Sequence, residues 1–325
     1  MIVIRKPDEL DTALAGASVT IGNFDGVHKG HQALIERTCA KAAAQGLTSV
    51  IVTFDPHPLR VLANRKTPPF ITLTGQKLAL ISQYGPQVAL LLPFDTDMAA
   101  LSPEQFVRQY LVDGLNMKEL TIGYDYHLGK GRRGDHLQLT EIGSRLGFNV
   151  ERLDPVALGG AIVSSTRIRD LVESGDVWDA RPLLGRFYQV EGEVVHGMKR
   201  GGKLLGFPTA NLKLVDELFP KPGVYAVWVE VDGDPHQGVA NIGKNPTFGN
   251  DALSVEAHIL DYDRDIYGRD IRVHFVQRIR DERKFNGIDE LKERISRDVQ
   301  IGRQILARPE GRIKLTQSSI ESPKS

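Results

Sequence analysis

The 325-residue chain is too long for one ordinary domain and leaves room for two, each with a core of its own. With 41% apolar and 25% charged residues it has the balance of a globular protein, and no apolar run is long enough to span a bilayer. Lys plus Arg and Asp plus Glu are each 41, so no global charge recruits a nucleic-acid backbone, and any anionic ligand must be held by local groups.

The start, Met1-Ile2-Val3-Ile4-Arg5-Lys6, lacks the pattern of a secretory signal, which sets the expectation of a cytoplasmic protein. Cys39 is the single cysteine, so an intramolecular disulfide and a cysteine-based zinc site are excluded. From residue 18 to about 150, short apolar runs alternate with helical patterns, which predicts a parallel sheet covered by helices. Strands are expected over 19–22, 49–54, 88–93, 119–122 and 149–153. A helix is expected over 31–45, ending at Gly46, and Ser102-Pro103-Glu104-Gln105 combines an N-cap, a first-turn proline and a capping-box glutamine. The whole is a Rossmann-like α/β layer, in which ligands sit at the carboxyl ends of the strands.

Directly after the first of these strands runs Gly22-Asn23-Phe24-Asp25-Gly26-Val27-His28-Lys29-Gly30-His31. Glycines let backbone amides approach a phosphate chain, and a helix start offers free N–H groups and a positive dipole end. His28 and His31, three apart, face the same oxygens and suit the charge that builds up during adenylyl transfer. A glycine turn with two surface histidines is the plainer alternative; the strand-turn-helix context favours the phosphate site. Ser164-Ser165-Thr166-Arg167-Ile168-Arg169 opens a further helix, which by itself is ordinary N-capping with solvated arginines.

After Asp179-Ala180-Arg181-Pro182 the periodicity changes to two. Tyr188, Val190, Gly192 and Val194 are expected on one strand face, and Ile271, Val273, Phe275 and Ile279 on another. Asp232-Gly233 is a hairpin turn between strand-like 224–231 and 238–242, so a compact antiparallel β-barrel is predicted. Leu291, Ile295 and Val299 form a helical stripe packed on it, and a polar tail from about Arg308 is expected to fray. The stretch from His196 to Asn211 is a Gly, Lys and Arg loop suited to a triphosphate, without the Walker A pattern. In it Thr209 and Asn211 offer oxygen donors of the kind Mg²⁺ accepts, although both residues are common in turns. Strand alternation sets Glu256 and His258 opposite Val255, Ala257 and Ile259. A strand glutamate ordinarily faces solvent, but a kinase needs a base beside the attacking hydroxyl.

The histidine loop and the Ser164 segment together resemble the HxGH nucleotidylyltransferases. With Phe54-Asp55-Pro56-His57-Pro58 and the stretch from Gly123 to Asp135, in which Leu128 stands where an aromatic residue is usual, the first half is similar to the bacterial FAD synthetase. The second half resembles riboflavin kinase in Gly206-Phe207-Pro208-Thr209-Ala210-Asn211, Pro222 to Ala226, Gly238 to Phe248, Val255 to His258, Tyr267-Gly268 and Arg280 to Phe285. This resemblance to the bifunctional riboflavin kinase/FAD synthetase family implies adenylyltransfer over residues 1–182, kinase chemistry over 183–307 and a tail over 308–325. It further implies that Gly22, Phe24, Asp25, Gly26, His28, His31, Ser164, Ser165, Thr166 and Arg169 bind ATP in the first domain. Phe54, Pro56, His57, Pro58 and Asp125 would bind flavin there. In the second, Gly197, Lys203, Gly206, Phe207, Pro208, Thr209 and Asn211 would bind ATP, with Thr209 and Asn211 on Mg²⁺, Glu256 as base and 280–285 as a flap over the flavin. Riboflavin, FMN and ATP are then the partners, with no nucleic acid, membrane or tightly bound cofactor expected. The rival readings are a flavin-responsive regulator that has lost turnover, an adenylyltransferase for another phosphorylated acceptor, and an RNA-binding barrel.

Overall fold

The computed structural model describes residues 1–10, 12–62, 68–129, 131, 133–196, 207–214, 217–244 and 253–313. They divide into two units, one of Met1–Pro68 and Thr72–Ser164, the other of Pro69–Ile71 and the residues from Ser165.

The first unit is built on six strands: β1 (Ile2–Ile4), β2 (Ala17–Ile21), β3 (Thr48–Phe54), β4 (Val88–Leu92), β5 (Met117–Gly123) and β6 (Asn149–Leu153). All pair in parallel, in the order β1-β4-β3-β2-β5-β6, and a small antiparallel pair, β7 (Ala157–Leu158) and β8 (Ala161–Ile162), follows. β2 and β4 are buried at every position because helices cover both faces, which is why these strands read as unbroken apolar runs. The five expected strands are present within a residue or two at their ends, and β1 is an additional edge strand. Helix α1 (Lys29–Gln45) ends at Gly46 with φ 65°, and the Ser102–Gln105 capping box forms in both directions. The strand order reverses between β2 and β5. A parallel sheet opens its ligand crevice at that point, and the loops leaving β2 and β5 are the histidine loop and the Gly123 stretch.

In the second unit, β9 (Tyr188–Val195), β10 (Ala210–Lys213), β11 (Gly223–Val231), β12 (Asp234–Lys244), β13 (Leu253–Ile259) and β14 (Asp270–Arg280) close an antiparallel barrel in the order β10-β13-β12-β11-β14-β9. Asp232 and Gly233 take φ values of 53° and 89°, the two left-handed residues of a type I′ hairpin turn. Tyr188, Tyr225 and Phe275 fill the interior, with Phe275 edge-on to Tyr225. Ile279 departs from the expected face. The register between β11 and β14 shifts at Val276 and again at Ile279; the first extra residue reverses the alternation once after Phe275, so Ile279 joins Val276, Ala226 and Trp228 outside, under the helix Ile288–Ala307.

That helix is buried mainly at Asp298, Gly302, Ile305 and Leu306, whereas Leu291, Ile295 and Val299 are only partly covered. The expected stripe is thus real but weaker than its continuation toward the C-terminus. Residues from Arg308 do not fray at once. A 3₁₀ turn over Pro309–Gly311 follows, and Gly311 O accepts a 2.7 Å hydrogen bond from Trp228 Nε1. Helices α8 (Ser165–Ser174) and α9 (Val177–Leu184) belong to this unit, α9 lying against β14 and β9.

Glu217 is 4% exposed beside β9, its Oε1 accepting from Glu191 N at 3.3 Å and its Oε2 buried without a partner among the described residues. Burial pushes its carboxyl up to about 8, and the nearby Glu191 carboxylate adds to the rise. The folded chain therefore holds a proton that the unfolded chain releases near 4.5. Its contribution is complete below that pH and is lost as pH rises through about 8. Glu217→Gln is expected to stabilise the barrel near pH 9 by on the order of 1–4 kcal/mol and to change little near pH 4.5. Thermal melts at both pH values check this, and an equal shift at the two would rule out ionisation as its cause.

Candidate active sites

β2 delivers the chain into a loop whose shape is set from inside. Phe24 and Val27 take φ values of 49° and 39°, and Gly26 86°; the two apolar side chains are buried in a cluster with Ile35, Ile51, Leu80 and Ile81. Burial of these anchors offsets the backbone strain. Asp25 is also turned inward. Its Oδ1 accepts from Thr72 N at 3.0 Å, and Thr72 Oγ1 accepts from Gly26 N at 2.9 Å. Phe24 and Asp25 thus hold the loop from beneath, with His28 buried and His31 half-buried at the helix start that follows.

His28 is the N-cap of α1, its Nδ1 accepting from His31 N at 3.4 Å. An Nδ1 that accepts leaves the proton on Nε2, so the imidazole offers an N–H to an oxyanion. The His28 and His31 rings stack with centroids 3.6 Å apart, and Phe24 meets His31 edge-on at 5.3 Å. Gly30 keeps this contact close: a Cβ would fall 3.2 Å from His28 Cε1, and the ring would have to give. Burial, then the neighbouring His28 and Lys77, hold His31 well below the ordinary histidine value. His31 is accordingly neutral at neutral pH, and its Nδ1 is buried without a hydrogen-bond partner among the described residues.

Around this loop, Val163 O lies 3.9 Å from where a Gly30 Cβ would stand, so the residue before Ser164 borders the helix start. Ser165 and Thr166 open α8, and Arg169 Nε donates to Pro69 O at 3.3 Å. Phe54 ends β3 with its ring turned into the core against Phe94 and Phe106. Asp55, Pro56, His57 and Pro58 follow, with a cis Asp55–Pro56 peptide and His57 Nδ1 accepting from Leu59 N at 3.2 Å. Asp125 is exposed after β5, its carbonyl 2.9 Å from His127 Nδ1.

One residue of this site was not anticipated. Lys77, in helix α3 (Thr74–Ser82), is 5% exposed beneath the loop. Burial pushes its ammonium down to about 8.

In the barrel, register assembles a second site. Asn211 on β10 stands opposite Glu256 on β13, and Glu256 opposite Asn241 on β12. The alternate residues Ala210, Leu212, Val255, Ala257, Ala240 and Ile242 are buried, so the polar three form one cross-strand row on the other face. Glu282 reaches this row from sequence-distant chain: its Oε1 accepts from Asn241 Nδ2 at 3.3 Å, and its carboxylate lies over Gly243, in the space that a side chain there would take. His258, two residues along, shares a 2.7 Å hydrogen bond with Pro208 O and meets Phe207 edge-on. Thr209 follows Pro208, half-buried, and Asn211 is 7% exposed. Gly197, Lys203, Gly206 and part of the stretch to Phe248 lie outside the described residues.

The two halves match different families. The FAD synthetase model covers residues 10–167 and the riboflavin kinase model residues 184–306. The bifunctional riboflavin kinase/FMN adenylyltransferase of Escherichia coli K12 is 39% identical over 290 residues, spanning 89% of this chain and 92% of its own. That of Listeria monocytogenes is 40% identical over 295 residues, spanning 90% and 93%. A crystal structure from Streptococcus pneumoniae, described as a macrolide-efflux protein, superposes with a TM-score of 0.82 at 32% identity, covering 93% of this chain and 98% of that one. Among the described residues, no helix of the present chain is long and apolar enough to cross a membrane.

Proposed function

The chain belongs to the family of bifunctional riboflavin kinase/FMN adenylyltransferases, and from that premise we propose how its residues divide the two reactions. It is an enzyme of flavin cofactor biosynthesis, phosphorylating riboflavin to FMN with ATP and then transferring an adenylyl group from a second ATP to FMN, with release of pyrophosphate.

Adenylyl transfer is assigned to the crevice after β2 and β5. An FMN phosphate oxygen attacks the α-phosphorus of ATP and pyrophosphate leaves. His28 and His31 donate to phosphate oxygens as charge moves onto them, while Ser164 belongs to the phosphate side and residues 54–58 with Asp125 line the flavin side. The observation that carries this reading is the stacked histidine pair at a helix start, His28 buried and His31 half-buried.

Phosphoryl transfer is assigned to the row on the barrel. Glu256 takes the proton of the ribityl 5′-hydroxyl as its oxygen attacks the γ-phosphorus, and ADP leaves. The Thr209 hydroxyl and the Asn211 amide oxygen, the latter opposite Glu256, would hold a Mg²⁺ that arrives with ATP, and such an ion would supply neutralisation of the phosphate charge. A cytoplasmic location is supported by ATP as donor and by a single free cysteine.

Purified protein given riboflavin, ATP and Mg²⁺ is expected to form FMN first and FAD after it, read by chromatography of the flavins. FMN accumulating without FAD, even when FMN is supplied directly, would remove the first assignment. A chain of residues 165–325 is expected to make FMN and no FAD. Starting instead at 183 removes Trp178, which packs against Phe187, and is expected to lower its melting temperature. A fragment that folds without phosphorylating riboflavin would overturn the placement of the kinase.

A further inference from the structure

We propose that Lys77 is a positioning residue for adenylyl transfer, tying the loop that carries His28 and His31 to the end of β3. The proposal rests on the placement of adenylyl transfer in that crevice. An ammonium has three protons, and each of the three here meets a neutral oxygen from one of the two segments that must stay in register. Nζ donates to Asn23 O at 3.3 Å, in the loop, and to Thr53 Oγ1 at 3.0 Å and Phe54 O at 3.4 Å, at the last two residues of β3. Thr53 Oγ1 itself donates to Asn23 O at 3.4 Å, closing a small network. β2 and β3 are neighbours in the sheet, so this contact ties their carboxyl ends together where the loop departs.

The cost of this arrangement points to function. A buried ammonium bound only to neutral oxygens is more expensive than an apolar side chain of the same length, and a methionine would fill the space without that penalty. A cation retained beneath the loop adds positive potential where ATP phosphates are to lie, and acts most strongly in a low-dielectric site. With its three protons engaged, Lys77 acts through the loop and its field, not by touching the substrate. The titratable groups that interact with it are His31, in the first turn of α1, Asp25 in the loop after β2, and Asp55 directly after β3. Asp25 and Asp55 support its charge; burial opposes it. Lys77 is protonated at neutral pH and loses its proton as pH rises through about 8. Above that, one donor of the three and the cation beside His31 are gone.

The test uses the full chain and FMN supplied directly, with kcat and KM for ATP measured from about pH 6 to pH 9.5. Lys77→Met is expected to lower kcat for FAD formation by about 10- to 100-fold, the scale for a small misplacement of reacting groups. The alkaline fall near pH 8 should vanish with it, while riboflavin phosphorylation in the same preparation continues. Lys77→Arg keeps the charge and is expected to recover part of the rate, with the alkaline fall moved upward. Histidine-labelled protein gives a second reading: in Lys77→Met the His31 imidazole should titrate at higher pH than in the parent, because a neighbouring cation no longer opposes its protonation. A Lys77→Met enzyme with parental kcat and pH profile overturns the proposal, as does an unchanged His31 titration in either a folded or a weakened variant. If the parent itself makes no FAD, the functional assignment fails instead, and the two failures are told apart by the parent alone.

Discussion

Alanine at His31 is expected to lower FAD formation by about 100-fold or more, the scale for losing one preorganised donor, while FMN formation persists. The asymmetry follows from placement: His31 stands in the parallel-sheet unit, on a loop anchored by Phe24, Val27 and the Asp25–Thr72 contact, and the kinase row is in the barrel. His31 is held neutral by burial and by the neighbouring His28 and Lys77, so it offers a phosphate oxygen an N–H without carrying a charge of its own. His28 needs a different substitution, because it also caps α1. His28→Ala loses the cap as well, at about 1 kcal/mol, whereas His28→Asn keeps an N-capping side chain and removes the imidazole. His28→Asn is therefore expected to match His31→Ala in lost FAD formation with little change in melting temperature. Separate assays with riboflavin and with FMN decide the matter. A fold-intact variant losing both activities equally would contradict the division of sites.

The histidine loop was legible because its signals are local: a buried strand, glycines, then a helix start, all within fifteen residues of chain. The capping box at Ser102 and the Asp232-Gly233 turn were legible for the same reason. Lys77 was not. A lysine in a helix ordinarily reads as solvent-facing, and its burial is decided by where β2 and β3 end in space. Phe24 and Asp25 stand in the motif, and that their side chains turn inward is not legible in the sequence, because it depends on the loop's positive φ values at Phe24, Gly26 and Val27 and on the contact with Thr72. Ile279 lies off the expected face because a period-two pattern is blind to bulges, and one, at Val276, intervenes between it and Phe275. Glu282 shows the same limit from another side. It lies 41 residues from Asn241, and nothing in the intervening chain signals their contact.

Glu256→Gln is expected to lower riboflavin phosphorylation by about two to four orders of magnitude while leaving adenylylation of supplied FMN nearly unchanged. Glutamine preserves length and hydrogen-bonding reach, so the cross-strand positions opposite Asn211 and Asn241 stay filled and the loss reports basicity, not packing. Its test is a comparison of kcat with KM: a base lost from the transition state lowers kcat and leaves riboflavin and ATP affinity largely intact. A variant that loses only riboflavin affinity would recast Glu256 as a positioning residue, and one with normal FMN production would remove it from the mechanism. Glu282 is the competing carboxylate, because Asn241 faces Glu256 across the strands and hydrogen-bonds Glu282 at 3.3 Å. The two differ in what holds them. Glu256 is fixed by a strand of the closed barrel with Asn211 and Asn241 on either side, whereas Glu282 follows the last residue of β14 by two positions, in chain without regular structure. Proton abstraction requires a base held within hydrogen-bond reach of the attacking hydroxyl, which favours the strand residue. Glu282→Gln is accordingly expected to show the smaller fall in kcat, with its effect concentrated in the KM for riboflavin, since its carboxylate ties the 280–285 segment to Asn241. The reverse order, with Glu282→Gln losing the greater share of kcat, would move the base from the barrel wall to that segment.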